Sequence, residues 1–376
     1  MDIYESDEDS YLLSKYVEKL IKPNYKVLDI GCGSGIQCET ALKKTKSVLG
    51  VDINSNAIEY CKKSEYCNSA KFKQSDLFSN IKKQKYDVII FNPPYLPDAK
   101  DPKNMKLYTT GGKKGYEIIE RFLSEVNYYL TENGFILLLF SSLTKKDVVD
   151  QLISNYLLDF KLLDKKSIMM EVLYCYKITK SSLLKKLNRK NIHNSYYLSK
   201  GKRGIVYKAK FKNKNIVIKI KNSKSQALNT IINEGNWLKK LNKYNIGPKL
   251  YFYDEDMIVM EYIDGILIGD YIKSFNEKKI KKIILLLLDQ MYIMDKLKIE
   301  KKEMVRPLKH IIIRKDKPVL IDFERVKLVE LPGNVTQFLE FLSRLNIIDR
   351  KKSIKLSMNY KKEYDIKKIK KFLYSL

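Results

Sequence analysis

"LDIGCGSG", residues 28–35, joins an apolar run to three glycines spaced two apart, Gly31, Gly33 and Gly35. The run up to Ile30 reads as a buried strand. Glycines placed there allow a tight turn and let the backbone approach a ligand at the start of a helix. The spacing is G-x-G-x-G, which differs from the dinucleotide pattern G-x-G-x-x-G. Working outward, the β-rich runs are KVLDI (26–30), SVLGVDI (47–53), AKFKQSDL (70–77), YDVIIFN (86–92), FILLLFSS (135–142) and EVLYCYKI (171–178). They alternate with helix-like stretches at 55–66, 116–130 and 145–157. Strands alternating with helices predict a parallel sheet with helices on both faces. DFKLLD (159–164) meets the last run without a helix between them, which predicts a terminal antiparallel hairpin. The expected fold of this half is α/β, doubly wound, with a mixed seven-stranded sheet.

Acidic residues close the first three strands. Asp29, inside the first strand end, suits an ammonium or a ribose hydroxyl and would repel a pyrophosphate. Asp52 ends the second strand, where a carboxylate can bind ribose hydroxyls. Asp76 follows the third and can accept from an adenine amine. Three acids in this order around a glycine turn describe a nucleoside carrying an amino acid, so S-adenosylmethionine is the expected cofactor. The fourth strand ends in FNPPYLP (91–97), where prolines stop the ladder. Asn92 offers a side-chain carbonyl oxygen, Pro93 an outward main-chain carbonyl, and Tyr95 a ring face. Two acceptors and a stacking surface fit a planar –NH2 group, whose nitrogen they would make pyramidal and nucleophilic.

The chain has 376 residues, enough for two domains, and 44% hydrophobic residues. No stretch has the ~20 apolar residues of a membrane span, and MDIYESDEDS has no apolar signal core. A cytoplasmic chain without a membrane partner is expected. Five cysteines, none in a CxxC, fit reduced thiols. The formal charge of +28 reads either as a route to ribosome or RNA contact or as the lysine-rich drift of an AT-rich genome.

LDIGCGSG, VDIN, SDLF and NPPY occur in the order of amino-directed class I methyltransferases, whose targets include DNA adenine, RNA guanine and protein glutamine. IYESDEDSYLL (3–13), GGKKGYEIIERFL (111–123) and GFILLLFSSL (134–143) resemble the archaeal and eukaryotic branch of the HemK/PrmC-like glutamine methyltransferases, with Ser6 where the family usually has proline. The resemblance covers about residues 1–178. It implies methylation of the glutamine amide in the Gly-Gly-Gln loop of translation release factors. It further implies Glu8 and Asp9 at the mouth, Asp29, Gly31, Gly33, Gly35, Asp52 and Asp76 on the cofactor, and Asn92, Pro93 and Tyr95 as catalytic residues on the amide. A small zinc-binding activator protein is the implied partner. The alternative is a nucleic-acid amino methyltransferase acting on DNA adenine or RNA guanine, favoured by the net charge.

Residues 179–195 lose the strand rhythm and read as a linker. From 196 to 334 the pattern changes to antiparallel strands, a helix and a long apolar helix over about 279–297, and 335–376 reads as a basic helical tail. Gly201 and Gly204 resemble a kinase glycine-rich loop, and Lys219 the strand-three lysine that holds ATP phosphates, with Glu234 as its partner. Glu261 resembles the hinge, and Asp322 in IDFER the metal-binding Asp of D-F-G. RPLKH and IDFER resemble an archaeal group of RIO/Bud32-like predicted serine/threonine kinases, implying an α+β two-lobed domain using ATP with Mg2+. The catalytic loop departs from that pattern: Glu303 falls where the Asp base belongs, and His310 near the metal-binding Asn. A non-catalytic pseudokinase binding module is the alternative for this half.

Overall fold

The computed structural model describes residues 7–95, 111–168, 171–201, 203–222 and 230–375. Ser6 and the Leu96–Pro97 end of the quoted loop lie outside them. The chain divides into two compact units, Met1–Tyr197 and Leu198–Leu376.

In the first unit, α1 (Glu8–Leu20) opens at Asp7, whose side chain accepts from the Glu8 amide. Asp9, Leu13, Tyr16 and Val17 recur at helical spacing and are buried. Next come β1 (Val27–Ile30), α2 (Ile36–Leu42), β2 (Val48–Asp52), α3 (Ser55–Lys63), β3 (Lys71–Gln74) and β4 (Tyr86–Phe91). Then follow α4 (Glu117–Val126), β5 (Leu130–Ser141), α5 (Lys146–Asn155), β6 (Leu158–Ile168) and β7 (Glu171–Lys180). The sheet runs β3-β2-β1-β4-β5-β7-β6. The first five of these are parallel, and β7 is antiparallel to both β5 and β6, the expected hairpin.

Every β1 residue is buried, as a central strand covered on both faces must be. Alternation assigns the faces. Val27, Val88, Ile90, Leu137 and Leu139 pack with Leu13, Val17, Cys38 and Ile58 of the first three helices. On the other face Phe91 stacks on Phe122 of α4, ring centroids 4.4 Å apart. The parallel register brings the carboxyl ends of β1, β2 and β4 to one edge, and with them Asp29, Asp52 and Asn92.

The segment 179–195 is not the expected unstructured linker. β7 runs to Lys180, and α6 (Ser182–Arg189) follows within the first unit. Ser181 Oγ caps it by accepting from the Leu184 amide, and Leu184 and Leu187 are buried. Lys180 is itself buried, donating to the carbonyls of Asn127 and Leu130. Burial pushes its pKa down to about 8.

β8 (Ile192–Lys200) runs across the boundary between the units. The second unit continues with β9 (Gly204–Phe211), β10 (Lys214–Lys221), α7 (Thr230–Leu241), β11 (Leu250–Tyr253) and β12 (Met257–Glu261). The antiparallel sheet order is β11-β12-β10-β9-β8. β13 (Ile266–Leu267), α8 (Ile268–Ser274), the long α9 (Glu277–Lys296) and β14 (Ile299–Glu300) follow. The hairpin β15 (Ile311–Arg314) and β16 (Lys317–Leu320) precedes β17 (Lys327–Leu328).

The stretch 335–376 is helical, as expected, and it packs into the second unit. It forms α10 (Asn334–Arg344), α11 (Arg350–Glu363) and α12 (Lys367–Ser375), whose Phe338, Leu342, Tyr360 and Ile369 join the core around α9. The tie is Asp295 of α9. It accepts from the amides of Asn334 and Val335, from Asn334 Nδ2 and from the Tyr360 hydroxyl. Burial pushes its pKa up to about 6 against those hydrogen bonds.

Candidate functional site

A cavity of about 440 Å³ opens at the carboxyl edge of the first unit's sheet. Asp9, Asp29, Gly31, Gly33, Asp52, Asp76, Asn92, Pro93 and Tyr95 all line it. Its floor is the glycine turn. Asp52 Oδ2 accepts from the Gly33 amide at 2.9 Å, and Oδ1 accepts from the Asn54 amide. Asp52 thus braces the turn. Gly35 precedes α2 with φ +87°, and a Cβ there would fall 2.9 Å from Cys61 Sγ. The turn therefore needs glycine twice over, for its backbone and for its packing. Asp29 is fully buried and takes a hydrogen bond from Cys38 Sγ. Burial, with the Asp52 charge adding to it, pushes its pKa up to about 7. A cationic ligand group beside it would return it to the ionised form.

The opposite wall carries NPPY. Asn92 Nδ2 donates to Asp9 Oδ2 at 3.0 Å. A carboxylate cannot face the amide oxygen, so this contact fixes which way the amide points. Its Oδ1 is then left buried with no hydrogen-bond partner. A buried acceptor without a donor costs about 1–3 kcal/mol, which a ligand N–H would recover. Burial, with Asp9 and Glu171 nearby, raises the pKa of the Tyr95 phenol, so the ring stays neutral. The GGKKG stretch supports this wall from behind. A Cβ on Gly111 would sit 2.7 Å from the Pro94 carbonyl and 2.2 Å from that of Gly115.

Two expected residues sit apart from this constellation. Glu8 is exposed on the first turn of α1 and pairs with Lys166 at 3.3 Å, because the helical period turns Asp9 inward and Glu8 outward. Gly35 acts through the turn and does not line the cavity. The reading from sequence missed Arg121, which pairs with Asp76 at 2.8 Å, and Glu171, which accepts from Ser141 Oγ. Arg121 lies inside the quoted GGKKGYEIIERFL, so its signal was present. Nothing in the sequence around Glu171 marks it.

The second unit gathers its own cluster. Lys219 Nζ on β10 lies 2.7 Å from Glu234 of α7, 3.0 Å from Asp322 and 3.3 Å from Glu324. Burial alone would lower the lysine's pKa; the charges of Glu234, Asp322 and Glu324 outweigh it and hold the ammonium. Gly204 presses on the lysine stem, where its Cβ would fall 2.9 Å from Lys219 Cε. Gly201 closes the preceding turn by donating to the Gly204 carbonyl.

Asp322 adopts φ +63°, a costly conformation for this residue. It is held on both sides: Lys301 Nζ donates to its carbonyl, and the next amide, Phe323, donates to Glu234 Oε1. Lys301 is fully buried and also faces Glu303 Oε2 at 3.5 Å. His310 Nδ1 lies 3.8 Å from Asp322 Oδ2, and burial lowers the imidazole's pKa. Glu234, Asp322 and Glu324 each offer an oxygen within 4.8 Å of the others, close enough to share a cation. Glu261 is not part of this cluster. The register pairs Lys219 with Ile258, three residues away, so the Glu261 side chain falls on the other face, where it meets Arg314. Glu324, Arg203 and Lys301 are participants the sequence did not single out.

Comparison with known proteins bears on the first unit. Residues 4–163 match a family model described as the Methyltransferase small domain. The Methanocaldococcus jannaschii protein named "Putative protein N5-glutamine methyltransferase MJ0928" is 41% identical over 158 residues, spanning 40% of this chain and 79% of that protein. The release factor glutamine methyltransferase of Aquifex aeolicus is 31% identical over 146 residues, 35% of this chain and 52% of that one. Among solved structures, the E. cuniculi Mtq2–Trm112 complex, described as methylating the eRF1 termination factor, is 29% identical. It covers 48% of this chain and all of that one, with a TM-score of 0.41. With the doubly wound mixed sheet and the cavity at its carboxyl edge, the family model and the Methanocaldococcus jannaschii relative lead to one conclusion: through its first unit, the chain belongs to the S-adenosylmethionine-dependent protein-glutamine N-methyltransferases.

Proposed function

We propose that the first unit methylates the side-chain amide of a glutamine in the Gly-Gly-Gln loop of a translation release factor. The observation that carries this reading is the buried, unpartnered Oδ1 of Asn92, aimed by Asp9 into the acid-lined cavity. The cofactor supplies an electrophilic methyl group. On this chain's side, Asp29, Asp52 and Asp76 hold its ammonium or ribose, its ribose, and its adenine. Asn92 Oδ1 and the Pro93 carbonyl accept the two amide hydrogens, localising the nitrogen lone pair toward the methyl carbon. Tyr95 covers the amide plane. The new N–C bond would form as the methyl–sulfur bond breaks, leaving the cofactor as a neutral thioether, and the amide nitrogen would release one proton to solvent.

The lining also supports a neutral or cationic target over nucleic acid. Among the described residues its carboxylates outnumber its cations, and the lining Arg121 is already paired with Asp76. The test offers the protein labelled S-adenosylmethionine with release factor, tRNA and DNA in parallel. Label on the release-factor glutamine supports the reading; label on tRNA or DNA alone overturns it. The resemblance also carries a small zinc-binding activator, and an open edge strand such as β3, mostly exposed, is where it would pair.

For the second unit we propose a kinase-like nucleotide site. Lys219, paired with Glu234 and Asp322, is the supporting geometry. Lys219 would hold ATP phosphates, Asp322 and the neutral His310 a Mg2+ ion, and Glu303 would serve as base. Gly201 and Gly204 would shape the phosphate turn. Lys219→Ala should abolish ATP hydrolysis or autophosphorylation; a wild type showing neither would reduce this unit to a binding module.

A further inference from the structure

Glu324 stands where kinase-like sequences of the D-F-G type carry glycine, and it is tied down at three points. Its Oε2 faces Lys219 Nζ at 3.3 Å, and its Oε1 accepts from Arg203 Nη1 at 3.3 Å. Its main-chain carbonyl accepts from Asn233 Nδ2 at 2.8 Å. Arg203 lies beside Gly204 and Lys219 on β10, so the lysine expected to meet a phosphate and the arginine of the glycine stretch converge on one internal carboxylate.

The charge balance sharpens the point. Lys219, Arg203 and Lys301 face Glu234, Asp322, Glu324 and Glu303, so the carboxylates already outnumber the cations by one. Bringing a polyphosphate beside these carboxylates in a largely buried site carries a repulsion that water screens poorly. A Mg2+ ion on Asp322 would offset part of it, and the rest is relieved if one carboxylate withdraws. Glu234 cannot do so cheaply, since it is buried and accepts the Phe323 amide. Asp322 is locked through its backbone. Glu324 is the remaining candidate, because its side-chain partners are the two cations a phosphate would satisfy.

We propose that Glu324 is an internal substitute for the ligand: its carboxylate fills the seat between Lys219 and Arg203 that a nucleotide phosphate takes, and binding is an exchange in which it swings out. This rests on the nucleotide-binding reading of the second unit. A site closed most of the time binds with its intrinsic affinity reduced by the open fraction.

The experiment is calorimetric titration of the full chain with Mg2+-ATP and, separately, adenosine. S-adenosylhomocysteine is kept saturating so that the first unit cannot report. Glu324→Gln keeps the shape and removes the charge. It should bind Mg2+-ATP about tenfold tighter than wild type, the effect of a competing contact of about 1.4 kcal/mol, and leave adenosine unchanged. Binding by Glu324→Gln where wild type shows none supports the exchange equally. Equal or weaker Mg2+-ATP binding by a folded Glu324→Gln overturns it while leaving the nucleotide reading intact. No binding by either protein overturns both. Glu324→Ala provides the same comparison should the glutamine variant fail to fold.

Discussion

Asn92 and Asp9 are one device. The carboxylate at the start of α1 sets the amide's direction, and the amide then presents an unpartnered acceptor, to which the proposed function assigns the reacting nitrogen. Asp9→Ala removes that direction. It should lower the methyl-transfer rate by about tenfold, the scale of one orienting hydrogen bond of about 1.4 kcal/mol, with cofactor affinity little changed; steady-state kinetics with a glutamine substrate and calorimetry with S-adenosylhomocysteine measure the two. Asp29 makes a second prediction. Its pKa is about 7 in the folded chain against an ordinary 3.8. Between those values the folded chain keeps a proton that the unfolded chain has released. Stability of the ligand-free first unit therefore falls as pH rises from about 4 to 7 and levels off above. Asp52, also raised by burial, acts in the same sense. Melting temperature against pH should decline across this window in wild type and decline less in Asp29→Asn. The Asp29–Asp52–Asn92 set was legible because strand-end acids and NPPY follow the chain order. Asp9's contact with Asn92, 83 residues away, could not be read from local spacing.

At the scale of elements, glycines position the methyl-transfer wall. The loop leading into α4 passes so close to Pro94 that only hydrogen fits at Gly111. Gly111→Ala must push that loop or the NPPY segment aside. A displacement near 1 Å costs about 10²-fold in rate, so transfer should collapse while S-adenosylhomocysteine still binds; retained wild-type kinetics would remove the loop from the account. The alternation of strands and helices in the first half was readable because parallel strands buried on both faces leave unbroken apolar runs. α6 was hidden because only Leu184 and Leu187 mark its buried face among lysines, asparagine and arginine. The helices of 335–376 were legible but their burial was not: Phe338, Leu342, Tyr360 and Ile369 pack into the core, while the surrounding lysines read as a basic tail.

At the scale of the molecule, the two units have separate cores. The C-terminal helices belong to the second core through Asp295. Asp295→Ala leaves buried donors of Asn334, Val335 and Tyr360 unmatched, each costing about 1–3 kcal/mol. Unfolding of the second unit should shift to clearly lower denaturant, followed by the fluorescence of Trp237, the chain's single tryptophan, which lies in that unit. An unchanged midpoint would mean those helices are dispensable. The charge of +28 says little by itself; among the described residues, the charged side chains lining the first unit's cavity are mostly acidic in spite of it. The most direct test of the central claim is single-turnover methyl transfer to a release-factor glutamine by Asn92→Ala beside wild type, with cofactor affinity measured on both. The account predicts a fall of about 10²-fold or more, the scale of losing one transition-state contact, with cofactor affinity nearly unchanged. Transfer at the wild-type rate, or label on a group other than the glutamine amide, would contradict it.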